Sequence, residues 1–450
     1  MYVKGGGHCY DAQSCLQASD TPYGSSTRFP KTFGLDGILS NNSLVNPLFS
    51  NWTHALLWYC SADSWAGNRT DAYYATDPSD PQRQMGLYFQ GFRVVRALLN
   101  ALVRDQDFGS ARELLLVGDC AAGTGMALWA DSLPIWFPWL QKVRLVFASA
   151  YFLHLPNQDP ARVDEDVEMW HSKISTPIQR PALRSNWVDE ARYLRPELRP
   201  ELSGNFQPWM ADVSELLYPM VALPIFLVQS TLDSCVLDEF WRGVNGTMST
   251  APGGCLDRGS QDLGGCSALE ASRLSLHRSR VMSALNSSRK LGGPSSGGFL
   301  HTCLGHADGL RKNQVYQQTT IDGVSLQRAL QSWWLDGSGP GGNAGVGHWH
   351  MPCELRTQHP YQCNPSCQAW SRQGPSPPAV VSLDEPRTST LAASHGINQP
   401  NGPEVWLPAV LSVIFPVVLL VLMPLALGRV ALRYAAAAAA SASNGRSRLE

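Results

Sequence analysis

The stretch Arg112–Asp131, RELLLVGDCAAGTGMALWAD, decides the fold. Leu114–Val117 form an unbroken apolar run, which suits a strand covered on both faces by crossover helices. Small residues follow at Gly118, Ala121, Ala122, Gly123 and Gly125, and the letters beyond them are compatible with a helix. A strand turning sharply into a helix among small residues is the form of a nucleophile elbow, which lifts its apical side chain above the sheet edge. The apex here is Cys120, in Gly118-x-Cys120-x-Ala122 where the usual elbow has Gly-x-Ser-x-Gly. A buried structural thiol is the competing reading of the same letters.

Working outward, strands are expected at 2–4, 53–59, 112–117, 143–149, 222–229 and 297–302. Helices are expected at 85–104, 121–131, 268–290 and 325–335. In 85–104, Met85, Tyr88, Phe89, Phe92, Val95 and Leu99 recur at near-helical spacing. The alternation predicts an α/β fold: a mostly parallel sheet with helices on both faces. Residues 150–221 mix Trp, Pro and charge without clear period and read as a cap over the site.

Two further stretches carry chemistry. VKGGGHC, residues 3–9, sets three glycines after a strand, the form of a loop that presents backbone N–H groups to an oxyanion. Donors from Gly7 or His8 would then face the N–H of Ala121. LVQSTLDSC places Asp233 just beyond a strand, and HTCLGHADG places His306 beyond the next. The order Cys120, Asp233, His306 is the nucleophile–acid–base order of α/β-hydrolases, each at a C-terminal strand edge where open sheets gather their sites. Asp238 is the rival acid. His301, inside a strand, reads as packing.

These stretches together resemble the pectin acetylesterase/Notum family of carboxylesterases. KGGGHCYDAQSC is similar to its GGGWCY motif, YCSADSWAG (59–67) to its YCSSDxWxG motif, and LLLVGDCAAGTG to its GSSAGGTG elbow. MGLYFQGFRVVRALL, VQSTLD, CLGHAD and PYQCNPSC correspond to the following helix, the acid, the base and a late cysteine cluster. The likeness covers roughly residues 1–370. It implies a secreted α/β-hydrolase that cleaves esters, removing acetyl groups from a polysaccharide or a fatty acyl group from a lipidated protein. It assigns Cys120 as nucleophile, Asp233 as acid and His306 as base. Gly7 or His8 and Ala121 become oxyanion donors, and no metal or organic cofactor is needed. It also implies that the first strands of the fold precede the glycine loop.

Three departures stand out: serine becomes Cys120, the elbow glycine becomes Ala122, and the loop tryptophan becomes His8. Asp119 adds a carboxylate beside the nucleophile, expected to oppose a thiolate, whereas the helix N-terminus and His306 favour one. The departures support a second reading, a membrane-tethered binding protein that kept the hydrolase scaffold without turnover. Retention of Asp233 and His306 speaks for the enzyme.

Composition narrows the class. With charged residues at 16%, a net charge of −2 and no basic block, the chain lacks the concentrated Lys/Arg that nucleic acid requires. Among 11 cysteines no tight CxxC pairs suggest zinc. Sequons at Asn41, Asn51, Asn68, Asn245 and Asn286 join the cysteines in favouring an exported, disulfide-bonded chain. Cys9–Cys15 and Cys255–Cys266 are expected local bridges, and the odd count leaves a thiol, assigned to Cys120. Residues 405–428 carry no charge and are long enough to span a bilayer, with Arg429 and Arg433 directly after them. The expected order is a hydrolase-like domain at 1–369, a flexible stalk at 370–404, a span at 405–428 and a tail at 429–450. The positive-inside bias puts the tail in the cytosol and the main domain outside or in a lumen. No leader-like segment opens the chain, so its N-terminus is expected to be incomplete.

Overall fold

The computed structural model describes residues 1–9, 12–68, 70–77, 80–152, 214–237, 266, 268–291, 295–307, 309–336, 349–350, 364–371 and 380–382. All lie within the compact unit 1–385. Its centre is a seven-stranded sheet. In chain order the strands are β1 (Tyr2–Val3), β2 (Leu56–Leu57), β3 (Glu113–Asp119), β4 (Lys142–Ala148), β5 (Ile225–Ser230), β6 (Gly297–His301) and β7 (Trp349–His350). In space they run β7-β6-β5-β4-β3-β1-β2, every neighbour parallel. The chain leaves β1 to one side for β2, then crosses back to β3 on the other. That reversal makes the β1/β3 boundary the switch point, where the carboxyl ends of the strands open a crevice.

Alternate residues of each strand feed two cores, one per face. Val3, Leu114, Leu116, Leu145, Phe147 and Leu227 pack with Phe92, Val95 and Leu99 of α1 (Gly91–Asp105), with α2 (Ala121–Trp129), and with Val281 and Leu285 of α3 (Ala268–Leu291). Tyr2, Leu115, Val117, Val146, Phe226 and Phe299 pack with Leu326, Ala329, Leu330 and Trp333 of α4 (Leu326–Asp336). The apolar runs are therefore continuous because both faces are covered, and the fold is the α/β sandwich that the resemblance implies.

One expectation is corrected. Residues 85–90 do not extend α1: Asp80–Leu87 pairs antiparallel with Tyr73–Asp77 as a separate ribbon. Met85, Leu87 and Phe89 alternate, and they pack with Ala75 and Cys15 rather than continuing the helical stripe; Tyr88 is exposed. Helix α1 starts where it does because the buried Asp63 carboxylate accepts the Gly91 N–H at 2.7 Å. Burial raises that carboxyl to about 6, against the lowering effect of hydrogen bonds from Ser61, Gly91 and Trp65.

Val380–Ser382, inside the stretch expected as stalk, pairs antiparallel with Thr32–Gly34. Among the described residues no helix is long and apolar enough to cross a membrane. The 405–428 run, the tail, Asp238, Cys255 and most of the expected cap (153–213) lie outside the described residues.

Helix α2 packs on the 59–67 loop so closely that a side chain at Gly125 would drive into the Ser64 carbonyl. Gly125→Val gains at most a few tenths of a kcal/mol in helix propensity and loses about 1–3 kcal/mol to overpacking. Urea unfolding of the variant is expected to show that net loss.

Candidate active site

The elbow is built from β3, Cys120 and α2. Cys120 takes φ 50°, ψ −131°, a backbone that only glycine adopts without strain. Its cost, of order 1–3 kcal/mol, is met by fixed neighbours. The Cys120 N–H donates to Ala148 at 2.9 Å, and the Cys120 carbonyl accepts from Gly123 at 3.0 Å. A Cβ on Gly118 would collide with Met126, and one on Gly123 with Ala150, so those two glycines let the helix fold back onto the strand. The Ala122 methyl is fully buried in the core cluster of this face.

Asp233 stands beyond the end of β5 and His306 beyond the end of β6. The His306 Nδ1 is 2.8 Å from Asp233 Oδ1. The carboxylate also accepts from Gln229 Nε2 at 3.1 Å and the Cys235 amide at 3.0 Å. With Nδ1 on Asp233, the buried Nε2 is the ring nitrogen left for the Cys120 sulfur, which acts on the imidazole by its charge and by a hydrogen bond. Burial alone would depress the imidazole, but the charges of Asp233 and Cys120, with hydrogen bonding to both, raise it well above the usual histidine value. The Cys120 thiol is held well below the ordinary thiol value by a hydrogen bond from the Cys235 thiol, against burial, with help from the His306 charge and the Ala121 N–H. The pair is thus biased toward thiolate and imidazolium.

The expected effect of Asp119 is not what the structure shows. Its carboxylate is turned away into its own set of partners: the Tyr2 hydroxyl at 2.9 Å, the Gly5 amide, and Arg311 Nε at 3.4 Å. With its charge met there, it is not among the groups that shift Cys120. Instead it straps the glycine loop to the elbow, and a Cβ on Gly5 would collide with the Asp119 carbonyl and with Cys120.

The loop is held from its other side by the 59–67 segment. The Tyr59 hydroxyl donates to the Gly7 carbonyl at 2.8 Å while accepting the Ser64 amide at 2.7 Å. The Trp65 indole donates to the Lys4 carbonyl at 2.9 Å. Gly7 takes φ 72°, the left-handed turn that points the loop back over the elbow. His8, paired to Asp63 by a backbone bridge, has its imidazole depressed by burial, opposed by the nearby Cys120 charge.

The segment carrying His306 is anchored at long range. The Cys303–Cys367 disulfide, the Asn364 side chain on the Thr302 amide (2.8 Å), and Trp370 packed against Gly305 fix the segment leading to His306. His301, the rival, is buried, stacks on Trp370 at 4.7 Å and is depressed to about 3 by burial, so it packs. Cys9–Cys15 is a disulfide, as its spacing suggested; Cys266 is also bridged. Sequence reasoning missed Cys235, whose only signal was its place two residues after Asp233. Among the described residues no cluster could hold a metal.

An elbow on a parallel sheet, with a carboxylate and an imidazole beyond the ends of two later strands, β5 and β6, defines an α/β-hydrolase-like protein. The chain belongs to the pectin acetylesterase/Notum family of carboxylesterases: the Pectinacetylesterase family profile matches residues 1–368. Pectin acetylesterase 7 of Arabidopsis thaliana is 27% identical over 381 residues, covering 83% of this chain and 84% of that one. The palmitoleoyl-protein carboxylesterase Notum of Schmidtea mediterranea is 25% identical over 355 residues, covering 75% of this chain and 56% of that one. Among solved structures, the Wnt deacylase Notum from Drosophila matches with a TM-score of 0.54 at 26% identity, covering 74% of this chain and 82% of that one.

The direction of the two shifts gives a test. The rate of Cys120 alkylation by iodoacetamide against pH is expected to show a midpoint well below the ordinary thiol value. Removing the imidazole in His306→Ala takes away a stabilising positive charge, so the midpoint must move up. An unmoved midpoint would mean that the two groups are not coupled.

Proposed function

We propose that the chain hydrolyses carboxylic esters through an acyl-thioester on Cys120. The observation that carries this reading is the charge-coupled Cys120–His306 pair with Asp233 on the far imidazole nitrogen. Cys120 attacks the ester carbonyl as thiolate. The carbonyl oxygen takes the negative charge, and the N–H of Ala121 with that of Gly7 or His8 stabilises it. His306, protonated, gives its proton to the departing alcohol while Asp233 holds the ring and balances its charge. Water, deprotonated by His306, then cleaves the thioester and restores the site. Strong pairing of thiolate and imidazolium favours attack and leaving-group protonation. It also makes His306 a weaker base toward water, so deacylation is expected to be the slow step.

The substrate class we infer is an acylated glycan or an acylated protein, the two kinds of substrate that the names of the matched relatives describe. We further propose that residues 405–428 form a single span, with 370–404 as its stalk, the main domain outside or lumenal and the C-terminus cytosolic. The exposure of Asn41 and Asn51 suits glycosylation on that side.

A fluorogenic short-chain acyl ester, assayed on the purified protein, is the test. Cys120→Ala should lose at least about 10³-fold in kcat/KM, since a triad nucleophile acts as a unit with its base. Cys120→Ser should retain measurable turnover, and acid-quenched wild type should carry the acyl mass on the Cys120 peptide. Turnover equal in wild type and Cys120→Ala would remove Cys120 as the nucleophile, and none in either would favour the binding-protein reading. For the span, alkaline carbonate should leave full-length chain in the membrane and release a chain ending at residue 404. Equal release of both would remove the anchor.

A further inference from the structure

The chemistry above uses one thiol, yet the site holds two. Cys235 lies two residues beyond Asp233, its amide bound to that carboxylate at 3.0 Å, and its side chain hydrogen-bonds the Cys120 sulfur. Both are thiols in the structure, within a chain whose Cys9–Cys15 and Cys303–Cys367 pairs are already disulfides. Cys120 is buried and Cys235 is half-buried, so Cys235 is the more accessible of the two.

We propose that Cys120 and Cys235 form a reversible dithiol–disulfide modification site. A sulfur held as thiolate is the form that peroxide oxidises, and a second thiol in contact resolves the product before it is oxidised further. The Cys120 thiolate attacks one oxygen of hydrogen peroxide, the O–O bond breaks, and Cys120 sulfenic acid forms with release of hydroxide. The Cys235 sulfur attacks the sulfenic sulfur, the S–S bond forms, and the sulfenic oxygen leaves as water. The sum is two thiols and one peroxide giving one disulfide and two waters. The structure also supplies an internal reference. Cys60, the other thiol among the described residues, is pushed up by burial and by the charge of Asp63, which disfavours its thiolate. The disulfide needs only the two thiols; its effect on turnover rests on the esterase reading above.

The purified full chain is treated with hydrogen peroxide near neutral pH, alkylated, digested without reduction and mapped by mass spectrometry. The expected product is a Cys120 peptide joined to a Cys235 peptide, two hydrogens lighter than the separate pair, with Cys60 recovered alkylated. A thiol reductant such as dithiothreitol, applied briefly, should separate the joined peptides and restore any esterase activity that was lost. In Cys235→Ser, Cys120 should instead proceed to the sulfinic and sulfonic acids, which the reductant does not reverse. Recovery of Cys120 as sulfinic or sulfonic acid in wild type, or joined to Cys60, overturns the proposal. So does Cys120 oxidation that is as reversible in Cys235→Ser as in wild type. The peptide map reads the site whether or not the protein turns over esters, so failure of the dithiol and failure of the esterase reading are told apart.

Discussion

The buried carboxylate of Asp119 is the point on which the site depends. It is the last residue of β3, and it receives the Tyr2 hydroxyl and the Gly5 amide from the strand on one side. From the other direction it receives Arg311, whose Nε also donates to the Ala307 carbonyl beside the base. One charge thus joins the glycine loop, the elbow and the segment after His306, the three pieces an acyl-transfer site must bring together. A buried carboxylate is tolerated only when it is paired and hydrogen-bonded, and the partners here come from the glycine-loop side and from the segment after His306. The same residue that seemed on inspection of the sequence to work against a thiolate is spent on assembly.

The elbow shows a similar division of labour. Cys120 cannot leave its strained backbone without breaking its bonds to Ala148 and Gly123, so the sulfur is held over the crevice whatever its charge. Its ionisation is then set by side chains that come from elsewhere in the chain, Cys235 and His306. Sulfur is larger and softer than the serine oxygen of the usual elbow, and one pairing lowers the Cys120 thiol while raising the His306 imidazole. Nδ1 of that imidazole is bound to Asp233, which leaves Nε2 for the sulfur.

Much of this was legible in the sequence because it is local. The elbow announces itself by an apolar run followed by obligatory small residues, and Gly118 and Gly123 occupy positions where any side chain collides. The fold was legible for the same reason, since strands covered on both faces must be apolar throughout. The ribbon at 73–87 was not, because Met85 and Phe89 satisfy both a helical and an alternating spacing. Only the capping of Gly91 by Asp63, 28 residues earlier, decides between them. Cys235 was hidden by its chemistry: in a chain with many cysteines, a thiol and half of a disulfide are the same letter. The role of Asp119 was hidden because all of its partners are remote in the chain.

The late part of the chain bears on how the His306 segment is held. His306 follows a strand end that would be an exposed loop if nothing closed over it. Cys367, Asn364 and Trp370 close over it, through a disulfide to Cys303, a hydrogen bond to the Thr302 amide and ring contact with Gly305. Asn364 binds the Thr320 carbonyl as well, and Trp370 the Thr319 hydroxyl, so this clamp is itself fixed to the segment leading into α4. The matched region reaches residue 368 and so takes in Asn364 and Cys367 of this clamp. The late cysteine cluster thus acts on the candidate site from a distance, by fixing residues 302–305 ahead of His306.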